Sequence, residues 1–273
     1  MLVISIIAFL FGASIGSFLN VVIYRLPRNE SIVSPRSHCT SCNEFIAWYD
    51  NVPILSYLIL RGRCRHCGAE FSARYALVEA LTGGFAVLLV LVPVLDMRII
   101  MPALNTKYLV MISVPYFIWV SSLIAASFID IDYQIIPDRI SLGGIPIGFL
   151  VATFLNPAVG LKSSLLGIAV GGGSLLVVAL GYWAVTRKEG MGMGDVKLMG
   201  MLGAWLGWGS IPFILIVASL VGAVIGVAIM VKGRGGFKAK VPFGPFLAGA
   251  AVLYLFLGRQ IIDLYLGMLS TSQ

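Results

Sequence analysis

The chain has 273 residues, 59% of them hydrophobic and only 11% charged, with a mean hydropathy of +0.98. These values exclude an ordinary soluble domain and point to a polytopic membrane protein. The net charge of +7 implies no nucleic-acid partner, because the placement of the basic residues along the chain accounts for it.

Apolar runs of spanning length predict an all-α protein of about eight transmembrane helices, near 2–24, 76–95, 109–130, 140–156, 163–185, 198–209, 211–231 and 244–267. The short alternating strands of a membrane β-barrel are not seen. With the N-terminus outside, the cytoplasmic segments are about 25–75, 131–139, 186–197 and 232–243. They hold 15 of the 19 lysines and arginines; only Arg98, Lys107, Lys162 and Arg259 fall outside. The predicted organisation is a first transmembrane helix (1–24), a cytoplasmic four-cysteine loop domain (25–75) and a transmembrane core (76–273).

The first run has no basic residue ahead of it and Arg25 behind it, which suits an N-out anchor better than a cleaved leader. Gly12-x-x-x-Gly16 within it, like Gly222-x-x-x-Gly226 later, reads as a site of close helix packing.

All four cysteines lie in the loop that follows, as Cys39-x2-Cys42 and, 21 residues on, Cys64-x2-Cys67. Each pair offers two thiolates to one tetrahedral ion, so the two together predict a structural zinc site. A reducing cytoplasm favours thiolate–metal bonds over disulfides. A redox or free-thiol set is the alternative. His38 and His66 flank the pairs and read as surface or supporting residues rather than ligands. The loop is too small to bury much core without a metal. Its stretch "WYDNVPILSYLILRGRCRHCG" has the look of a segment lying along the membrane surface.

Acids at membrane depth are costly and usually functional. "SFIDIDYQIIPDRI" places Asp130, Asp132 and Asp138 at the inner end of the third span, with Pro137 marking the turn into the fourth. Asp195 lies at the inner end of the sixth. Topology puts Asp130 and Asp195 on one membrane face at similar depth, which permits them to meet. Two adjoining carboxyls cannot both ionise easily. One can then act as base on a water while its protonated neighbour polarises a peptide carbonyl. Helix caps or interfacial charges are the alternative for this pair. Asp132 and Asp138 read as caps or partners of Arg139.

"GMGMGDVKLMG" (190–200) does not fit a phosphate cradle, since neither glycine register completes G-x-G-x-x-G and no Walker motif exists. Gly192 and Gly194 instead predict irregular, approachable backbone beside Asp195, with Lys197 anchoring the helix at the interface. No G-x-S-x-G nucleophile is present.

Together "GSFLNVVIYRLP" (16–27), the double C-x-x-C around "NVPILSYLILRGRCRHCG", "DIDYQIIPD" (130–138), "GMGMGDVKLMG" and "VPFGPFLAGA" (241–250) resemble the bacterial type IV prepilin peptidases, aspartyl proteases of the GxGD type. The resemblance covers nearly the whole chain with every block in order. It implies cleavage of the leader of prepilins or type II secretion pseudopilins on the cytoplasmic side of the bacterial inner membrane. It also implies N-methylation of the new terminus, typically phenylalanine, from S-adenosylmethionine. The family's catalytic aspartates fall on Asp130 and Asp195. No methyl-donor motif is legible; the resemblance associates methylation with the cytoplasmic loops, residues 25–75 above all, and Glu44, Glu70 and Glu79 are offered as contacts for a basic leader or the new amine. A transporter with Asp130 and Asp195 as ion sites, and a zinc-sensing scaffold, are the rival readings. The former is weakened by the absence of an evident inverted repeat.

Overall fold

The computed structural model describes residues 2–100, 106–188, 190–231 and 241–270. Lys232, Arg234, Lys238 and Lys240 lie outside the described residues, as do the side chains of Arg98, Lys107 and Arg259. The chain is helical: α1 (Leu2–Arg25), α2 (Leu55–Ile59), α3 (Arg74–Ile100), α4 (Thr106–Tyr133), α5 (Asp138–Phe154), α6 (Gly160–Thr186), α7 (Met193–Leu206), α8 (Ile211–Val231) and α9 (Gly244–Ser270). Among the described residues, five stretches are long and apolar enough to cross a membrane: Leu2–Arg28, Arg74–Leu91, Met111–Tyr133, Gly160–Thr186 and Trp208–Val231. The apolar part of α9, Gly244–Gly258, is shorter. So are α5 and α7, at 17 and 14 residues.

Contacts divide the chain into two compact units, Met1–Ala125 and Ala126–Gln273, with the boundary inside α4. In the first unit α1 packs along α3. Small residues make the crossing close: a methyl on Gly12 would come within 2.6 Å of Ala86 Cβ, and one on Gly16 within 2.6 Å of Glu79 Cα. The Gly12-x-x-x-Gly16 pattern therefore does pack a helix pair. Asn20, buried in the same face, donates from Nδ2 to the Tyr75 carbonyl at 3.1 Å.

In the second unit α7 is the central element, contacted by α5, α6, α8 and α9. Every residue from Leu198 to Leu206 is buried, as befits a helix that is apolar all round. Gly203 meets Gly167 of α6 backbone to backbone. Two side-chain bonds lock the arrangement: Ser164 Oγ to the Ala204 carbonyl at 2.8 Å, and Trp205 Nε1 to the Gly144 carbonyl at 3.0 Å. The helix ends at Gly207, whose φ of +79° strongly favours glycine. Trp208–Ser210 then form one 3₁₀ turn into α8.

The glycine stretch is less irregular than the sequence reading expected. Gly192 caps α7 in extended conformation, but Met193 and Gly194 already belong to its first turn. An unanticipated short helix, α2, interrupts the cysteine loop.

Candidate active site and metal centre

Asp130 sits three residues before the end of α4, where Gln134 leaves the helix at φ +54° while its N–H still bonds the Asp130 carbonyl at 2.9 Å. Its side chain is only 6% exposed. The carboxylate Oδ2 accepts the backbone N–H of Gly244 at 3.0 Å, and Gly244 is the first residue of α9. A helix start has N–H groups without helical partners, and Asp130 satisfies one of them.

Asp195 stands in the first turn of α7, half-buried, and so lies at a helix N-terminus of its own. Ile136, buried on the short link between α4 and α5, connects the two regions. A methyl on Gly194 would stand 3.1 Å from Ile136 Cβ, and one on Gly244 would stand 3.0 Å from Ile136 Cδ1 and 2.7 Å from Asp130 Oδ2. Glycine at both positions lets the starts of α7 and α9 close around Ile136, and that brings the two acids into one neighbourhood.

Asp132 and Asp138 are exposed. Asp138, the first residue of α5, bonds Lys197 through Oδ1 at 2.7 Å. Asp138 thus stands at a helix start, as the cap reading expected, and its bond to Lys197 ties α5 to α7. Gly244 and Ile136 were not singled out from the sequence. "VPFGPF" does carry a signal for the first, since Gly-Pro at the head of an apolar run marks a helix start.

The cysteine loop, in the first unit, consists of two knuckles with the same hydrogen bonds. Cys39 N–H donates to the Glu44 carbonyl at 2.9 Å and Asn43 N–H returns to Cys39 at 2.8 Å. Cys64 N–H donates to Ala69 at 2.8 Å and Gly68 N–H returns to Cys64 at 3.0 Å. Antiparallel bridges close both, His38 with Phe45 and Arg63 with Glu70. Asn43 and Gly68 take the left-handed conformation that each turn requires, at φ +58° and +73°.

All four sulfurs lie within 4.8 Å of one another, and Cys39 Sγ is 3.9 Å from Cys67 Sγ. A tetrahedral ion with bonds of about 2.3 Å places its sulfurs about 3.8 Å apart, so the cluster fits such an ion. The Cys42 and Ser41 amides hold the Cys39 thiol down to about 6 against the effect of burial. The Glu44 amide favours the Cys42 thiolate too, but burial and the neighbouring sulfurs of Cys39, Cys67 and Cys64 push it up to about 12. Four thiolates this close need a cation among them. Arg65, inside the second knuckle, forks onto Asp50 at 2.8 and 2.5 Å and holds that carboxyl below the usual range.

Residues 10–92 match the family described as bacterial peptidase A24 N-terminal domain, and residues 117–227 match the type IV leader peptidase family. A protein of Aeromonas salmonicida named prepilin leader peptidase/N-methyltransferase is 37% identical over 95% of this chain and 93% of its own length. Proteins of the same name from Aeromonas hydrophila and Legionella pneumophila are 38% and 36% identical, over 95% and 94% of this chain and 93% of each relative. The chain belongs to the type IV leader peptidase family, peptidase A24. In this leader-peptidase family member the N-terminal match contains the whole cysteine cluster, and the second match contains both Asp130 and Asp195. Gly244 lies beyond both matches. No solved structure matches the chain.

Proposed function

We propose that this protein is a membrane aspartic endopeptidase that removes the leader from type IV prepilins or type II secretion pseudopilins and methylates the new N-terminus. The family membership supports the reaction. The observation that carries the residue assignment is the convergence of Asp130 and Asp195 at the starts of α9 and α7 around Ile136.

Within that pair one carboxylate takes a proton from the attacking water. The other, protonated, donates a hydrogen bond to the scissile carbonyl, and no covalent intermediate forms. The Gly244 amide orients the Asp130 carboxylate. Gly192 and Gly194 support the site by leaving the approach to Asp195 free of side chains, and Gly194 by admitting Ile136.

The chain crosses the bacterial inner membrane eight times with its N-terminus outside, so that the acids and the cysteine loop face the cytoplasm. Zinc held by Cys39, Cys42, Cys64 and Cys67 stabilises the loop, with no position left open for chemistry. Exposed Trp48, Leu58 and Ile59 on that loop suit the bilayer interface. S-adenosylmethionine supplies the methyl group.

The test incubates the purified full chain with a prepilin and follows release of the leader. Asp130→Asn and Asp195→Asn each lower cleavage by at least about 1,000-fold while the protein stays folded. Full cleavage by both variants would sink the assignment.

A further inference from the structure

Three glutamates were candidates for contact with a substrate amine, and the structure separates them. Glu70 pairs with Arg63 at 3.1 Å in the open, and Glu44 is exposed. Glu79 is 8% exposed and lines a cavity of about 170 Å³ within the first unit. The cavity is lined by α1, the start of α3 and the loop between residues 37 and 71, and it opens on one side.

Its lining is rich in polar side chains, Asn20, His38, Asp50 and Asn51 among them, and of its charged members Arg25 and Glu79 are buried. One Glu79 carboxylate oxygen, Oε2, accepts the Ile54 amide at 2.7 Å. Arg25, 6% exposed, gives one N–H to the Ser31 carbonyl at 2.9 Å and is itself part of the cavity lining. Tyr24, Tyr57 and Tyr75 supply aromatic walls. The close α1–α3 crossing at Gly16 fixes the depth of Glu79, because the glycine lies directly on its Cα.

A cavity with the buried guanidinium of Arg25, the buried carboxylate of Glu79, a second carboxylate (Asp50) already engaged by Arg65, and aromatic faces suits a ligand that carries both signs of charge. The guanidinium suits an α-carboxylate, and aromatic faces suit an onium cation or a planar base. S-adenosylmethionine combines these groups, and the amine of a freshly cut N-terminus is a second cation. The residues present therefore fit the methyl donor and its acceptor.

We propose that this cavity is the methyl-transfer site, with Arg25 pairing the donor's carboxylate and Glu79 taking the proton of the new N-terminal ammonium. The assignment rests on the methyltransferase reading above and uses residues separate from the protease pair. Glu79 accepts one proton, which frees the nitrogen lone pair to form the new N–C bond. The donor supplies a methyl on a sulfonium, whose C–S electron pair returns to sulfur as a neutral thioether. The product is a methylated ammonium with one positive charge, and Glu79 passes its proton to water.

The experiment uses the purified full chain, a prepilin substrate and two readouts besides leader release. Equilibrium binding of radiolabelled S-adenosylhomocysteine probes the cavity without turnover, and mass spectrometry of the mature pilin counts methyl groups. Arg25→Gln weakens binding of the probe by about 10-fold or more. Glu79→Gln binds it within about threefold, yet lowers methylation by about 100-fold while leader release continues; Glu79→Asp recovers part of the loss. Should both Gln variants bind the probe and methylate as the natural chain does, the cavity assignment is overturned. If the natural chain releases leader and binds the probe in an Arg25-dependent way but adds no methyl group, the cavity stands as a donor site and the methyltransferase reading falls.

Discussion

A single backbone amide decides much of the geometry around Asp130. The Gly244 N–H reaches Oδ2 at 3.0 Å only because no side chain stands between them. Alanine keeps the amide, but its Cβ would lie 2.7 Å from the same oxygen, closer than real Cβ contacts come. The carboxylate then has to swing away, and displacements of about 1 Å at a reacting group cost up to about 100-fold in rate. Gly244→Ala is therefore expected to cut leader release by about 10- to 100-fold with the thermal unfolding midpoint little changed. Gly249→Ala, where a methyl meets nothing within 4 Å, serves as the matched control on the same helix. A cleavage rate in Gly244→Ala equal to that of Gly249→Ala would remove Gly244 from the site. The sequence showed the two acids because charge at membrane depth stands out against apolar neighbours. It did not show Gly244, since a contact 114 residues distant leaves no local pattern.

At the scale of elements the cysteine spacing was readable, and the way the loop repeats itself was not. Cys39–Glu44 and Cys64–Ala69 make the same pair of backbone bonds, but the left-handed turn residue is Asn43 in one and Gly68 in the other. Asparagine and glycine tolerate that conformation for different reasons, so identity of shape is hidden behind difference of residue. The helix α2 was missed because five residues give no periodicity to read. Metal is expected to hold the two knuckles together, as each contributes only two sulfurs. Metal analysis of the full chain should find about one zinc per chain. Cys39→Ser combined with Cys42→Ser should abolish it and make residues 30–70 the first site of limited proteolysis. Unchanged zinc in that double variant would exclude the four-cysteine centre. The Asp50–Arg65 fork then remains as a tie between the second knuckle and the preceding segment.

For the molecule as a whole, the apolar runs located every long helix among the described residues, with boundaries shifted by a few residues. The largest discrepancy is α7, which starts at Met193 rather than near 198 because its glycines continue the helix. Its shortness also has a physical reason. Buried on all faces by α5, α6, α8 and α9, it meets neighbours and not lipid, so a 14-residue helix suffices where a lipid-facing one does not. Orientation was read from charge alone, and the native cysteines allow it to be measured without engineering. Cys42 and Cys67 are exposed, and all four cysteines lie in one loop. On the proposed topology, with the loop on the cytoplasmic side, a membrane-impermeant maleimide applied to spheroplasts should label nothing. Applied to inverted vesicles it should label weakly while metal is bound, and strongly after a chelator frees the thiolates. Strong labelling of intact spheroplasts would reverse the topology. It would also place Asp130 and Asp195 on the outer side, because an even number of crossings separates the loop from each acid in the eight-span arrangement.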